Sequence, residues 1–385
     1  MDAGYWILDV GKHKKSEVQS PKSKMSDFVE TYRNVIVQIA TPNSTGTGFY
    51  LRDRGVIVTN HHVIEGSRAV VVEGARFSKQ LARVRYADQR YDLAFLEGPK
   101  EPGELPEVRL GVGKTLRERD PVTAIGHPFG LKFSVKSGIV SNTREVMNGI
   151  PYLHIDAALN PGNSGGPLVD NDGEIVGINT FVIRDGDNTG FSLPVHFLEE
   201  SLESFLKLDS DDACRCPACM NIVTEKTVEN GFCSFCGNKV ELPSAVEEYV
   251  PSGVAKTIEA LIARIGHDVS LSRCGPNAWE IRQGSAKILI TYHDKSGLMS
   301  ADAVLCQLPK ENIKRLYEYL LRENYQNEAL TLSVHDQDII LSLLIFDRYL
   351  NEETGEAMLK NLFEKADYYD NILVEEYGAT WKVEE

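Results

Sequence analysis

Residues 162–167 read Gly-Asn-Ser-Gly-Gly-Pro, and no other stretch constrains this 385-residue chain so tightly. A seryl oxygen is a poor nucleophile at its free pKa, so it needs a base beside it and donors for the charge that develops. The glycines let the backbone turn so that the amides of Gly162 and Ser164, on either side of Asn163, converge on one spot next to Ser164. That is an oxyanion hole. Taken alone, the same stretch is equally a turn with no chemistry, and its weight comes from what lies upstream.

Two apolar strands precede it. Val56-Ile57-Val58-Thr59-Asn60 runs into His61-His62-Val63-Ile64, and Tyr91-Asp92-Leu93-Ala94-Phe95-Leu96 carries one acid near its start. The order His, Asp, Ser is that of the chymotrypsin-like arrangement, not the subtilisin or hydrolase order. Short β-rich runs such as 35–39, 69–72 and 175–178 are broken by Gly, Asn and Asp turns, which predicts an all-β domain closed by a helix over 195–206.

Ordered pieces at 46–49, 59–63, 92–94, 126–130, 137–141, 156–168, 177–180 and 190–194 resemble the HtrA/DegP branch of trypsin-like proteases over roughly residues 30–205. The resemblance implies two six-stranded antiparallel barrels with the site in the cleft between them. In that family the catalytic His directly precedes Val. Thus His62 is the expected base, Asp92 its orienter and Ser164 the nucleophile, with His61 a neighbour of no catalytic role. The primary pocket would have Ala158 at its base and Asn179, Thr180, Phe181, Gly190 and Phe191 as walls. With Ala158 where Lys/Arg specificity needs an acid, cleavage after small or medium aliphatic residues is expected. Asn163 stands where zymogen-type relatives carry an acid, so activation should come from ordering of the Gly162–Asn163 peptide and not from a freed N-terminus.

No secretory signal is readable at the start: Tyr5-Trp6-Ile7-Leu8 is short, with Asp2 before it and lysines after it. No run approaches a membrane span, and the protease segment holds no cysteine. The expectation is a cytoplasmic bacterial enzyme with no membrane partner. Composition is ordinary at 42% apolar and 25% charged, while the net charge of −15 argues against nucleic acid. Lys12, Lys14, Lys15, Lys22 and Lys24 read as a solvated N-terminal arm over 1–26.

The protease domain is assigned to 27–208, and residues 207–212 read as a polar linker. Cys216-Pro217-Ala218-Cys219 and Cys233-Ser234-Phe235-Cys236 are then two CxxC knuckles, the spacing of a closed tetrahedral zinc site. Residues 213–242 are too few to bury a core, so one structural zinc per chain would supply most of their folding free energy. A redox pair is the alternative. Cys214 is a bystander, and the zinc ribbon is expected to serve as a spacer or a protein contact. Because every triad member lies before residue 165, peptide hydrolysis is expected to survive loss of the metal.

Residues 245–385 carry helical apolar faces at 255–265 and 313–321, strand-like stretches at 278–281, 287–292 and 303–308, a hairpin over 330–345 and a last helix near 353–373. The order αβββαββα resembles the YbjN and type III secretion chaperone-like fold. From 243 onward there are 24 acidic and 14 basic residues. The resemblance implies an α+β protein-binding domain that dimerises or assembles further and captures a protein substrate or partner. A plain stabilising cap is the other reading. The whole is expected to be a multidomain serine endopeptidase, with a service in stress response or phage defence as one setting. The alternative is a scaffold whose protease fold only senses a partner.

Overall fold

Valine- and isoleucine-rich runs form two barrels in this computed structural model, which describes residues 28–100, 103–127, 133–157, 159, 162–183, 189–283 and 286–382. The arm over 1–26, with its lysines, and Pro128, Phe129, Gly130 and Ala158 lie outside the described residues, as do the side chains of 181–183. In the first barrel the strands β1 (Ile36–Ala40), β2 (Thr45–Leu51), β3 (Val56–Thr59), β4 (Ala69–Gly74), β5 (Phe77–Asp88) and β6 (Leu93–Glu97) run in the order β5-β4-β1-β2-β3-β6. Pairing of β5 with β6, for instance Ala87 with Ala94, closes the ring.

The second barrel comprises β7 (Pro121–Gly126), β8 (Ser134–Met147), β9 (Ile150–Asp156), β10 (Pro167–Asp170), β11 (Ile175–Ile183) and β12 (Thr189–Pro194), closed in the order β10-β11-β12-β9-β8-β7. The helix Val195–Leu206 returns to the first barrel, where Phe205 packs on the stacked pair Tyr86–Phe95. One apolar cluster contains residues of both barrels and this helix, among them Val58, Phe95, Ile178 and Leu202, so the groove between the barrels has a rigid floor.

The cysteine-rich segment is not a free spacer. Its first strand, β13 (Ala213–Arg215), pairs in parallel with β5, Ala213 opposite Tyr86 and Cys214 opposite Ala87. Strand β14 (Ile222–Thr224) then extends the same sheet. The polar run before it is held as well, because Arg85 pairs with Asp211. The second knuckle sits on the small hairpin β15 (Val228–Glu229) and β16 (Phe232–Cys233).

The remaining α/β region is one antiparallel sheet of β17 (Arg273–Gly275), β18 (Ala278–Gln283), β19 (Ala286–His293), β20 (Leu298–Gln307), β21 (Leu330–His335) and β22 (Asp338–Phe346), ordered β17-β18-β19-β20-β22-β21. The helices Gly253–Arg264 and Glu352–Tyr377 share its core, and Ile313–Gln326 lies against β21. The element order read from the sequence recurs, with the one-turn helix Val269–Ser272 and β17 added between the first helix and β18. Those additions touch the first barrel: a Cβ on Gly275 would stand 2.8 Å from the Thr45 methyl. Among the described residues no helix is long and apolar enough to cross a membrane.

Candidate active site

His62 lies on the one-turn helix His61–Ile64 directly after β3. Val63 and Ile64 are buried beneath it, which leaves the His62 side chain 43% exposed at the groove. Asp92 ends the β5–β6 turn at φ +52, a left-handed conformation that Asp tolerates better than most residues. Asn60 Nδ2 donates to the Asp92 carbonyl at 2.8 Å. The carboxylate then accepts twice from His62, from the backbone N–H at 2.9 Å and from Nδ1 at 2.7 Å. A proton held on Nδ1 leaves Nε2 with its lone pair, the tautomer a general base requires. Burial lowers the imidazole pKa, but the hydrogen bond and charge of Asp92, helped by Glu65, outweigh it and raise the value above 6.5.

The Ser164 loop is fixed by close approach. Gly165 has φ +86, and a Cβ there would lie 2.2 Å from the Thr47 carbonyl; one on Gly166 would lie 2.1 Å from that of Ile125. Thr47 is the clamp. Its N–H donates to Ser164 O at 2.8 Å, and its hydroxyl donates to Gly162 O at 2.5 Å while accepting from the His127 N–H at 2.8 Å. Among the described residues the N–H groups of Gly162, Asn163 and Ser164 donate no hydrogen bond. They are available to an oxyanion. The Ser164 hydroxyl donates to Thr180 O at 3.0 Å, and no hydrogen bond joins it to His62. Asn163 is 1% exposed, yet among the described residues neither its Oδ1 nor its Nδ2 has a partner.

The expected pocket residues divide. Gly190 lies under Leu159, whose Cδ1 would be 2.5 Å from a Cβ placed there. Phe191 is buried and stacks on His154 with ring centroids 5.1 Å apart. Thr180 contributes its carbonyl to Ser164 and is otherwise buried. Asn179 is buried, donates to Pro167 O and accepts from Ser192 Oγ, both at 3.1 Å, so its amide braces neighbouring strands. Ala158 and the Phe181 side chain fall outside the described residues. Beside Asp92 and Thr180 opens a cleft of about 370 Å³ that Gln89, Arg90, Tyr152 and Pro217 also line. Thr47 and Asn60 were given no role in the sequence reading. Their signal was present, a polar residue between glycines or one that follows the run Val56-Ile57-Val58-Thr59.

The sulfurs of Cys216, Cys219, Cys233 and Cys236 all lie within 4.8 Å of one another. The pairs Cys216–Cys236 and Cys219–Cys233 are 3.6 and 3.7 Å apart. Four sulfurs each about 2.3 Å from a tetrahedral ion would be separated by about 3.8 Å, so the set fits zinc. Met220 N–H to Cys216 O (3.0 Å) and Gly237 N–H to Cys233 O (2.8 Å) close the two knuckle turns. Cys214 stands outside the set, its thiol pushed up to about 12, chiefly by burial.

Residues 46–178 match the trypsin-like peptidase domain family. Serine protease HTRA4 of Mus musculus is 38% identical over 183 residues, 45% of this chain and 37% of that protein. A probable periplasmic serine endoprotease, DegP-like, of Marinomonas is 40% identical over 157 residues, 40% of this chain and 33% of its own length. The solved serine endoprotease from Yersinia pestis superposes with a TM-score of 0.44 at 29% identity, covering 50% of this chain and 70% of that one. The chain spans well under half the length of these two curated relatives.

Proposed function

We propose that this chain, which carries an HtrA/DegP-like, trypsin-fold serine protease domain, is a serine endopeptidase acting through His62, Asp92 and Ser164. The carrying observation is the Asp92 carboxylate on His62 Nδ1 at 2.7 Å, together with a serine loop whose three amides donate no hydrogen bond among the described residues. In this reading the Ser164 hydroxyl leaves Thr180 O for His62 Nε2, and Oγ attacks the scissile carbonyl as Nε2 takes its proton. The Gly162 and Ser164 amides hold the oxyanion. His62 then protonates the departing amine, and water releases the acyl group by the reverse sequence. Asp92 stays ionised and fixes the tautomer.

The side chain of Leu159 across Gly190 supports a shallow primary pocket and cleavage after small aliphatic residues. The Ser164–Thr180 bond supports a resting state that a bound protein partner completes. That same bond is what favours the second reading, a sensor or scaffold with little proteolysis. The four thiolates would hold one structural zinc, which closes the segment 213–242, and they need a reducing compartment such as the cytoplasm to do so. The acidic α/β region is assigned partner capture and self-association, with neither nucleic acid nor membrane as its target. A fluorophosphonate probe decides between the readings. Labelling that vanishes in Ser164→Ala and His62→Ala supports the enzyme, and a wild-type chain that never labels, even with a protein partner captured by the Ser164→Ala chain added, refutes it.

A further inference from the structure

The cysteine-rich segment reaches into the turn that carries the catalytic acid. Arg215 lies between Cys214 and Cys216 on β13, with its side chain 7% exposed. Its Nε donates to Asp88 Oδ2 at 2.6 Å, its Nη1 to the Met220 carbonyl at 2.9 Å, and its Nη2 to Ser201 Oγ at 3.2 Å. The guanidinium also lies 5.0 Å from the centre of the Tyr91 ring.

Both ends of this fork matter. Asp88 is fully buried; its Oδ2 also accepts from the Tyr86 hydroxyl at 2.9 Å, and its Oδ1 accepts the Tyr91 N–H at 3.0 Å. That second bond closes the turn whose next residue is Asp92, held at φ +52. Met220, at φ +64, belongs to the first cysteine knuckle, whose Cys216 carbonyl accepts its N–H. Pro217 of the same knuckle lines the cleft beside Asp92 and Thr180. A buried ion pair is strongly destabilised when one partner is withdrawn, so the turn at Asp88 depends on where the knuckle holds Arg215.

We infer that Arg215 is a positioning residue for Asp92 and that the cysteine knuckle sets its place, so that metal held by the four thiolates governs the geometry of the catalytic acid. This rests on the protease reading above and on the metal reading of the cysteines. It reverses the expectation that hydrolysis of a small peptide is indifferent to the ribbon. Arg215 touches no substrate; it acts through Asp88 and the turn. Displacing a catalytic group by about 1 Å costs on the order of 10²-fold in rate, so that is the size of effect expected on kcat, with KM little changed.

The test uses the full chain, zinc-loaded or stripped with a chelator and repleted with zinc alone. Arg215→Met should lower kcat about 10²-fold at unchanged KM, and Arg215→Lys, which keeps the charge but loses the fork, should fall between. Chelating the wild type should do the same, zinc should restore it, and chelating Arg215→Met should add little, because the two changes break one path. Two readouts are independent of turnover: the downfield proton signal of the His62–Asp92 hydrogen bond, and amide exchange at Tyr91. Both should change in Arg215→Met and on chelation. A merely stabilising Arg215 would lower the melting midpoint and leave the His62 signal and kcat intact below it, which overturns the proposal. So would losses from chelation and substitution that multiply. A zinc-loaded chain that never labels with a fluorophosphonate, with or without a protein partner, defeats the protease reading alone, and unchanged Tyr91 exchange on chelation defeats the coupling alone.

Discussion

The two halves of the catalytic groove are built to different standards. On the first barrel the acid and base are already joined, with two His62–Asp92 contacts under 3 Å, Asn60 on the Asp92 carbonyl and a buried ion pair behind the turn. On the second barrel the Ser164 hydroxyl is bonded to Thr180 O, and Asn163 is buried with no partner for either polar atom among the described residues. An unpaired buried polar group costs about 1–3 kcal/mol. Asn163 carries two such atoms and Asn60, through its Oδ1, one, so the loop has the more to gain by rearranging. The comparison teaches where regulation belongs. In the proposed mechanism the His62–Asp92 pair is preorganised, and the Ser164 loop is the half left to be switched.

The most severe break removes a partner from either half. Ser164→Ala and His62→Ala should each lower kcat on the order of 10⁶-fold and Asp92→Asn about 10⁴-fold, with the fold intact by circular dichroism. His61→Ala should change kcat less than about threefold, since His61 takes no part in the acid–base pair; a collapse with His61→Ala and not with His62→Ala would move the base to the other histidine.

A smaller break loosens only the nucleophile half. Thr47→Val deletes the hydroxyl shared by the Gly162 carbonyl and the His127 N–H. Displacing one oxyanion donor typically costs 10²–10³-fold, so a fall in kcat of about that size is expected, together with a lower melting midpoint. The rate of fluorophosphonate labelling measures it. A variant that melts early but labels at the wild-type rate would mean that Thr47 holds the barrel and not the oxyanion site.

The acid–base half can be tuned without being removed. In the proposed mechanism neutral His62 is the base, and Asp92 raises its pKa above the ordinary imidazole value, so kcat/KM should fall as pH drops through that raised value. In Asp92→Asn burial acts with much less opposition, so the acid limb of the residual activity should move to lower pH. The linked stability has the opposite sense: the Asp92 interaction with protonated His62 contributes fully below the unfolded pKa and is lost as pH rises through the folded one. An acid limb that stays in place in Asp92→Asn would separate the carboxylate from the base.

What the sequence revealed follows the range of each contact. The nucleophile loop and the His–Val flank are local, since glycines at 162, 165 and 166 are demanded by backbones that come within about 2–3 Å of a would-be Cβ or by left-handed φ, and they read directly. The barrels were legible as short β-branched runs, although their closure came from the family resemblance. Asn179 is expected as a pocket wall only through the family resemblance. The structure instead commits its amide to Pro167 O and Ser192 Oγ, contacts that no local pattern announces, beside a register shift between Asn179 and Phe181. Arg215 was invisible. Three residues of β13 carry no period, and the partner Asp88 is 127 residues away. Chain order places the cysteine-rich segment after Ser164, whereas pairing of β13 with β5 places it against the strand that leads to Asp92.

The mildest test asks whether the discomfort of the loop is real. Asn163→Leu keeps the shape of the side chain and removes two unpaired polar atoms. Asn179→Leu removes an amide of the same size whose atoms are paired with Pro167 and Ser192. Replacing an unsatisfied group by an apolar isostere is neutral or stabilising, whereas orphaning a satisfied partner costs about 1–3 kcal/mol. The melting midpoint should therefore hold or rise by about 2–4 °C in Asn163→Leu, the shift that roughly 1 kcal/mol produces in a domain this size, and should fall in Asn179→Leu. Activity should move the other way at position 163. If the amide finds its partner only when the loop turns to the active form, Asn163→Leu loses that gain and labels several-fold more slowly even with the protein partner present. Equal falls in midpoint at both positions would show that Asn163 is as well satisfied as Asn179, and the contrast between the two halves of the groove would then rest on Ser164 alone.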